Sequence, residues 1–397
     1  MDGYSTHDLD LGLTMQAGTT SPRPRVSEIA SWLLVLAGIG LLLLLFLSFL
    51  IESKPASPGG DAITSSPGRI AYFEFGIAAD TLWLVNPANP EQREKLLSVP
   101  HAREFGVVPS IAPDGRSLAY AALPAENPAP SPDAPAGLWL TEISRGAQPR
   151  LLLNGVDLRV RAVWSPDGSS LVYRRSNADG YALATQPAAG GEERILAHSD
   201  TATALFPVGF APDGSRFYHV ALSESGGSQL VVVDVASGVQ TAVAQLSPGI
   251  TREWSLSNDG SRLAFLAMGY TANAIAAQAY VLDLSTAQLT PVTGATVNAF
   301  GPVWAFDGSL LVGSLGTHGE ANLVRVDGSS ATLLPTAGRG FDVPLGFARD
   351  GSVYLVRAFS GASATAPGAA TLTLIDKDGE RHVIASGDVT FAGWSAP

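Results

Sequence analysis

The chain uses charge sparingly, and much of the charge that could do chemistry gathers in a few short segments. Charged residues make up 15% of its 397 residues, against about 25% in an average protein. Arginine in such segments can hold an anion, and a neighbouring carboxylate can act as a general acid or base. The candidate ligand- or partner-binding residues are His101, Arg103, Glu104, Asp157, Arg159, Arg161, Asp200, Arg252, Glu253, Arg339, Asp342 and Asp388.

A second set of carboxylates recurs in Asp-Gly pairs at intervals of 43 to 53 residues. Carboxylates in a series suggest a metal centre or a pair of catalytic acids. Each of these occupies the same place in its repeat, however, so they lie one repeat apart and do not converge. We expect them to form structural turns. They are Asp114, Asp167, Asp213, Asp259, Asp307 and Asp350.

Other catalytic and metal-binding patterns are missing from the sequence. It has no cysteine, which excludes disulfides, thiolate nucleophiles and thiolate zinc sites. Its histidines lack the H-x-H or H-E-x-x-H spacing of a zinc centre. There is no G-x-S-x-G nucleophile elbow and no glycine-rich phosphate loop. We therefore expect neither a metal nor another cofactor.

The Asp-Gly pairs belong to a tetrad whose best copy is Ser165-Pro166-Asp167-Gly168. An apolar strand precedes each tetrad and another follows it, which predicts a β-hairpin with proline and glycine at the turn positions that suit them. Two further strands complete each repeat, and no helical period follows residue 51. Four short strands per repeat predict the blade of a β-propeller. Aromatic residues just before the tetrads are expected to pack between blades: Trp164, Phe210, Trp304, Phe347 and Trp394.

The two ends of the repeat region predict how the ring closes. Residues 66–72 look like a tetrad that has lost its aspartate, followed by the usual second strand. Residues 389–395 match the strand that precedes the other tetrads. The sequence therefore predicts an all-β, seven-bladed propeller of four-stranded antiparallel blades over 66–397, in which the C-terminal strand 389–395 completes the first blade. Closure of this kind leaves no exposed edge between the first and last blades.

The segment W-S-P-D-G-x-x-L-x-Y at Trp164–Tyr173 resembles the repeat of the TolB-like, or PD40 (WD40-like), β-propeller family. The resemblance extends over residues 66–397. It implies the propeller fold and is nearly silent on function, because the family includes scaffolds, proteins with envelope-protein partners and the non-catalytic halves of peptidases. Asn258, Phe306 and Arg349 depart from the repeat by replacing its proline, which weakens individual turns without changing their phase.

An uncharged run over residues 29–51 predicts one N-terminal transmembrane helix. As a helix it would reach roughly 35 Å, enough for a bilayer core of about 30 Å and too long for a cleaved signal peptide. Arg23 and Arg25 precede it closely, which favours a cytoplasmic N-terminus with the propeller outside the cytoplasm. Residues 1–28 then form a short, disordered cytoplasmic tail, and 52–65 form a flexible linker.

Composition and motifs together favour binding over catalysis. A net charge of −12 with no basic cluster argues against nucleic acid as a partner. The charged candidate residues fall in the predicted crossings between blades, which would ring one mouth of the central channel. The leading interpretation is a membrane-anchored, extracytoplasmic module without catalysis, whose partner is another envelope protein or an extracytoplasmic ligand bound at this channel mouth. The alternative is a lyase or glycan hydrolase in which Arg161 or Arg252 holds an anion and Glu253 or Asp157 is the general acid or base. A third is a single-pass sensor.

Overall fold

The computed structural model describes residues 67–127, 129–223, 227–270, 275–295, 297–316, 319–328, 330–334, 336 and 340–396. Within these ranges no helix has the length and apolar character needed to cross a membrane. The predicted tail 1–28, helix 29–51 and linker 52–65 lie outside them.

In the described residues, twenty-eight strands form seven antiparallel sheets of four strands each. The first sheet, blade 1, combines three early strands with the last strand of the chain: β1 (Arg69–Glu74), β2 (Ala79–Val85), β3 (Arg93–Pro100) and β28 (Val389–Ser395). Blade 2 consists of β4 (Val108–Ile111), β5 (Ser117–Ala122), β6 (Pro135–Glu142) and β7 (Arg150–Asp157). Blade 3 consists of β8 (Val163–Trp164), β9 (Ser170–Asn177), β10 (Gly180–Pro187) and β11 (Arg194–Ser199).

The remaining blades are built in the same order along the chain. Blade 4 consists of β12 (Thr203–Phe210), β13 (Arg216–Ser223), β14 (Ser228–Asp234) and β15 (Gln240–Ser247). Blade 5 consists of β16 (Thr251–Leu256), β17 (Arg262–Tyr270), β18 (Ile275–Asp283) and β19 (Leu289–Pro291). Blade 6 consists of β20 (Asn298–Trp304), β21 (Leu310–Leu315), β22 (Ala321–Asp327) and β23 (Ser330–Leu334). Blade 7 consists of β24 (Phe341–Phe347), β25 (Val353–Phe359), β26 (Ala370–Asp376) and β27 (Arg381–Ser386).

The ring closes through the last strand, as the repeat phase predicts. Strand β28 pairs antiparallel with β1, from Arg69 opposite Ser395 to Glu74 opposite Val389. This confirms the seven-bladed propeller and its C-terminal closing strand. The first strands of successive blades contact one another from blade 1 to blade 7, and β28 contacts β26 of blade 7, so the first strands surround the central channel.

The six Asp-Gly turns share one hydrogen-bond pattern. In the best copy, the amide of Gly168 donates to the carbonyl of Ser165 at 2.9 Å, and Asp167 accepts the amide of Ser169 at 3.0 Å. Gly168 has φ +70°, a left-handed conformation that strains other residues. The equivalent aspartates accept the amide two residues later: Asp114, Asp213, Asp259, Asp307 and Asp350.

The hydrophobic core lies between the blades. Trp164, Phe210, Trp304, Phe347 and Trp394 are all buried. The indole nitrogen of Trp164 donates to the carbonyl of Ser110 in blade 2 at 3.0 Å, and that of Trp304 donates to Ser255 in blade 5 at 2.9 Å. Each of these indoles therefore packs between blades and also ties its blade to the preceding one.

Candidate functional site

The charged residues at the channel are best located by their place in the repeat. On each first strand, or just before it, one position lies three residues ahead of the residue that precedes the tetrad. Because the first strands surround the channel, we call these equivalent repeat positions the channel ring. Its members are Val108, Arg161, Pro207, Glu253, Gly301, Pro344 and Phe391. Arg161 and Glu253 are the charged members.

Arg161 lies in the crossing from blade 2 to blade 3 and is only 3% exposed. Its Nη2 donates to the carbonyl oxygen of Phe391 at 3.4 Å. Phe391 is the blade 1 member of the channel ring, so the guanidinium reaches across the first strand of blade 2. One buried positive charge of the ring is therefore fixed against the closing strand.

Glu253 adopts an unusual backbone at an irregularity of β16. The pairing register of β16 with β17 shifts between Arg252 and Ser255, and Glu253 has φ +55°. A residue other than glycine is strained in this region by about 1–2 kcal/mol. The equivalent ring position in blade 6 is Gly301, which has φ +54°. Strained residues concentrate at functional sites, so Glu253 is a candidate functional residue.

The Glu253 carboxylate is buried and is held from two sides. Its Oε2 accepts the amide of Gly301 at 2.6 Å, and its Oε1 lies 3.5 Å from Nε of Arg252. Glu253 is 8% exposed and Arg252 is 7% exposed. These contacts join blades 5 and 6 at the channel ring and place a second guanidinium beside it.

Asp157, at the end of β7, forms the centre of a buried ionic cluster. Its Oδ2 accepts Nη2 of Arg174 at 2.7 Å and Nε of the same residue at 3.0 Å, and Arg159 also donates to both carboxylate oxygens. Arg159 also contacts Asp133 at 2.8 Å. Burial raises the pKa of Asp157, but the charge of Arg174 and the hydrogen bonds from Arg159 outweigh burial and leave that pKa below its ordinary value. Asp157 is therefore an ionised acceptor with no proton to give.

His101 is buried in the crossing from blade 1 to blade 2. Its Nε2 lies 2.9 Å from Oδ1 of Asp80, and its Nδ1 lies 2.8 Å from the carbonyl oxygen of Ala102. Asp80 also accepts the amides of Gly76 and Val107. The pair thus fixes the β1–β2 loop against the interblade crossing.

The other sequence-derived candidates fall into three groups. Asp342 is buried and accepts two hydrogen bonds from Arg381, at 2.7 and 3.0 Å. Arg339 lies outside the described residues. The exposed candidates, spread over three interblade crossings, are Arg103, Glu104, Asp200 and Asp388. Of all the candidates, the structure places Arg161 and Glu253 in the channel ring and Arg252 beside it.

Three charged residues that the sequence did not single out complete these contacts. Arg174, Asp80 and Arg381 provide the partners of Asp157, His101 and Asp342. A detectable signal existed for Arg174, which follows Tyr173 directly in an apolar strand where an unpaired charge would be costly.

The turn face carries its own surface depressions. A cavity of about 620 Å³ is lined by residues of two neighbouring turns, including Asp167 and Asp213, and another of about 500 Å³ is lined by Arg150 and Trp164 among others. The turn aspartates are engaged within their own turns. Hydrogen bonds from Ser165 and Ser169 lower the pKa of Asp167. Among the described residues, no three histidine or acidic side chains are grouped so that they could hold a metal ion.

Comparison with known proteins gives a family profile and several similar folds. The profile of PD40, the TolB beta propeller domain, matches residues 144–397. TolB from Acinetobacter baumannii is similar at 17% identity, over 67% of this chain and 65% of that one, with a TM-score of 0.47. No curated protein matches the sequence.

Two enzymes are also similar to this chain in fold. An oligogalacturonate lyase from Vibrio parahaemolyticus has 12% identity over 83% of this chain and 86% of that one, with a TM-score of 0.55. Prolyl oligopeptidase B from Galerina marginata has 13% identity over 92% of this chain, with a TM-score of 0.57. The alignment spans only 56% of the oligopeptidase. At these identities the likeness extends to the propeller fold alone.

Proposed function

The chain belongs to the PD40 family of TolB beta propeller domains, and on that premise we propose that it is a non-catalytic binding module of the cell envelope. In this proposal residues 29–51 anchor it in the membrane with the propeller outside the cytoplasm. The channel ring receives an anionic group of a partner protein or an extracytoplasmic ligand. Family membership supports the propeller scaffold, and the site must be argued from its own residues.

The observation that carries the proposal is the placement of two buried guanidiniums in an acidic protein, one in the channel ring and one beside it. Arg161 and Arg252 are nearly inaccessible, although the chain as a whole carries a net charge of −12. Positive charge in a low-dielectric channel focuses its field on an approaching anion. An acidic side chain or the C-terminal carboxylate of a partner carries the negative charge that this field attracts.

The strain at Glu253 supports a site in the same place. A left-handed conformation costs free energy, yet the chain keeps glutamate where the next blade has Gly301. The carboxylate fixes Arg252 and the Gly301 amide, so it orients the guanidinium. An oriented donor binds its anion with a smaller entropy loss than a flexible one.

A lyase acting on acidic oligosaccharides is the second candidate. The oligogalacturonate lyase fold spans nearly the same length as this chain, so a propeller of this size needs no added catalytic domain. Arg161 or Arg252 would then neutralise a substrate carboxylate. The contacts of the two carboxylates argue against a lyase, because Asp157 and Glu253 both accept hydrogen bonds from fixed donors. A general base needs an oxygen within reach of the substrate proton.

The test compares variants of the full-length protein, purified from native membranes in mild detergent. Bound proteins are identified and quantified by mass spectrometry for the wild type, Arg252→Gln and Arg116→Gln. Arg116 is an exposed arginine in a turn of the opposite face and is the matched control. We expect Arg252→Gln to retain about tenfold less of a specific partner than the wild type, and Arg116→Gln to retain the wild-type amount. The amount that the wild type retains should fall with rising salt.

Two results would contradict the binding proposal. One is a partner retained equally by Arg252→Gln when its thermal melting matches that of the wild type. The other is the formation of unsaturated products from oligogalacturonate, followed by ultraviolet absorbance, at a rate that Arg252→Gln lowers. The second result would establish the lyase.

A further inference from the structure

The loop between β1 and β2 presents apolar side chains on the channel-mouth face of blade 1. It comprises residues 75–78, Phe-Gly-Ile-Ala. Phe75 is 36% exposed and Ile77 is 56% exposed. The other exposed large hydrophobic residues of the described chain lie on or beside outermost strands: Leu151, Ile195, Val239, Leu289, Leu333 and Val383.

The backbone of this loop is fixed by the crossings on both sides of blade 1. The Phe75 amide donates to the carbonyl of Asp388 at 3.0 Å, on the crossing that enters the blade. The Glu104 amide donates to the carbonyl of Ile77 at 2.7 Å, on the crossing that leaves it. The amide of Gly76 donates to the buried carboxylate of Asp80 at 3.0 Å.

The aromatic ring of the loop is fixed as well. Phe75 stacks on the ring of His101, with centroids 6.0 Å apart and planes at 20°. His101 is itself held by Asp80. A rigid loop that exposes a phenylalanine and an isoleucine is a preorganised binding surface, because little conformational entropy is lost when a partner covers it.

The residues that hold the loop also give the surface its charge. Glu104 and Asp388 contact the loop through their backbones from opposite sides, and both have exposed side chains. Arg103 is the exposed cation beside them, so these three residues carry a net negative charge. Acidic residues around an apolar centre complement a partner with basic residues around an apolar side chain.

We propose that Phe75 and Ile77 form a docking surface for a segment of a partner protein that presents an apolar side chain flanked by lysine or arginine. The inference rests on the proposed function as a binding module, but it uses a surface separate from the channel ring. The ring selects an anion, whereas this loop selects an apolar and cationic segment.

The test selects peptides from a displayed random library on the full-length protein in detergent and measures the affinity of the selected peptides. We expect apolar residues next to lysine or arginine to be enriched. Affinity should fall about tenfold in Ile77→Ser and Asp388→Lys, and remain in Val239→Ser, an exposed apolar control on the rim of blade 4. Equal thermal melting of the variants excludes misfolding.

Each contrary outcome identifies a different error. Peptides that bind Ile77→Ser as well as the wild type, or that are predominantly acidic, overturn the proposal. So does a dimer in sedimentation that Ile77→Ser abolishes, because the occupant is then a second copy of the chain. Failure of the proposed function appears separately, as partner retention by Arg252→Gln in the pull-down, and leaves the Ile77 measurement unaffected.

Discussion

The guanidinium of Arg161 donates to the carbonyl oxygen of Phe391, which belongs to the strand that closes the ring. Arg161 lies in the crossing that leads into blade 3, and Phe391 lies in blade 1. This hydrogen bond therefore links the segments on the two sides of blade 2, in addition to the hydrophobic packing between the blades. A residue chosen from the sequence as a ligand-binding candidate also has a structural contact, and its variants must be analysed for both effects.

Arg161→Gln should lower the free energy of unfolding by about 1–3 kcal/mol, because it removes a donor from a buried carbonyl. Urea denaturation followed by circular dichroism measures the change. Arg116→Gln, on the exposed turn of blade 2, should stay within about 0.5 kcal/mol of the wild type. An Arg161→Gln protein as stable as that control would mean that the contact with Phe391 contributes nothing.

Trp394→Ala should destabilise the propeller by about 3–5 kcal/mol, the usual cost of removing a buried tryptophan. Trp394 lies on β28 and packs in the cluster between blades 7 and 1. Val383→Ala, an exposed position on the outermost strand of blade 7, is the control and should leave thermal melting nearly unchanged. Deleting residues 389–397 should lower the melting temperature further, since blade 1 then lacks its first strand.

Arg174→Met should cost about 3–5 kcal/mol, because it leaves the Asp157 carboxylate buried with its main cation removed. The double variant Asp157→Asn/Arg174→Met should lose less than the sum of the two single variants. A double-mutant cycle in urea measures this coupling. Strictly additive losses would show that the two residues stabilise the protein independently.

Acidic pH should lower the free energy of unfolding through His219. Burial lowers the pKa of His219 from 6.5 to about 4, and its Nε2 lies 3.4 Å from Oε1 of Gln240. The native state therefore excludes a proton that the unfolded chain accepts. The stability contribution is fully present above about pH 6.5 and is lost as the pH falls to 4, by about 3 kcal/mol.

The measurement is the free energy of unfolding at pH 7 and at pH 4 for the wild type and two histidine variants. His219→Gln should show a loss smaller by about 3 kcal/mol than that of the wild type. His198→Gln changes an exposed histidine and should keep the wild-type loss. Parallel pH profiles for all three proteins would place the acid sensitivity elsewhere.

The proposed topology can be measured because the chain has no cysteine. Glu126→Cys, in the exposed loop before β6, should react in intact cells with a maleimide that does not cross membranes. Ser5→Cys, in the N-terminal tail, should react only after permeabilisation. The opposite pattern would reverse the orientation argued from Arg23 and Arg25.

The number of blades could be predicted because the turn chemistry is local. Asp-Gly pairs repeat with the same spacing to the flanking strands, and the structure has the same turn hydrogen bond in each. Two of the residues that replace the proline of the tetrad, Asn258 and Arg349, form contacts between blades that the sequence did not indicate. Asn258 donates to the carbonyl of Ala305 in the next blade at 3.1 Å, and Arg349 donates to that of Pro113 in blade 2.

The site was less predictable, because its contacts join distant segments. Nothing in the spacing connects Arg174 on β9 with Asp157 on β7, since the pair forms only when blades 2 and 3 pack together. The strained backbone of Glu253 was visible only indirectly, from Gly301 at the equivalent place in the following repeat. Charge in the interblade segments indicated the right region, while burial separated Arg161 and Arg252 from exposed Arg103.

The pairing of β28 with β1 also fixes the order of events during synthesis. Until residues 389–395 leave the ribosome, β1 has an open edge, and the core around Tyr72 lacks Phe391 and Trp394. Blades 2 to 7 can form from contiguous segments, but the first blade to be made is the last to be completed. Closing a loop of nearly the whole domain is slow, and an open edge invites pairing with other chains. The nascent protein is therefore most vulnerable to aggregation at its N-terminal blade.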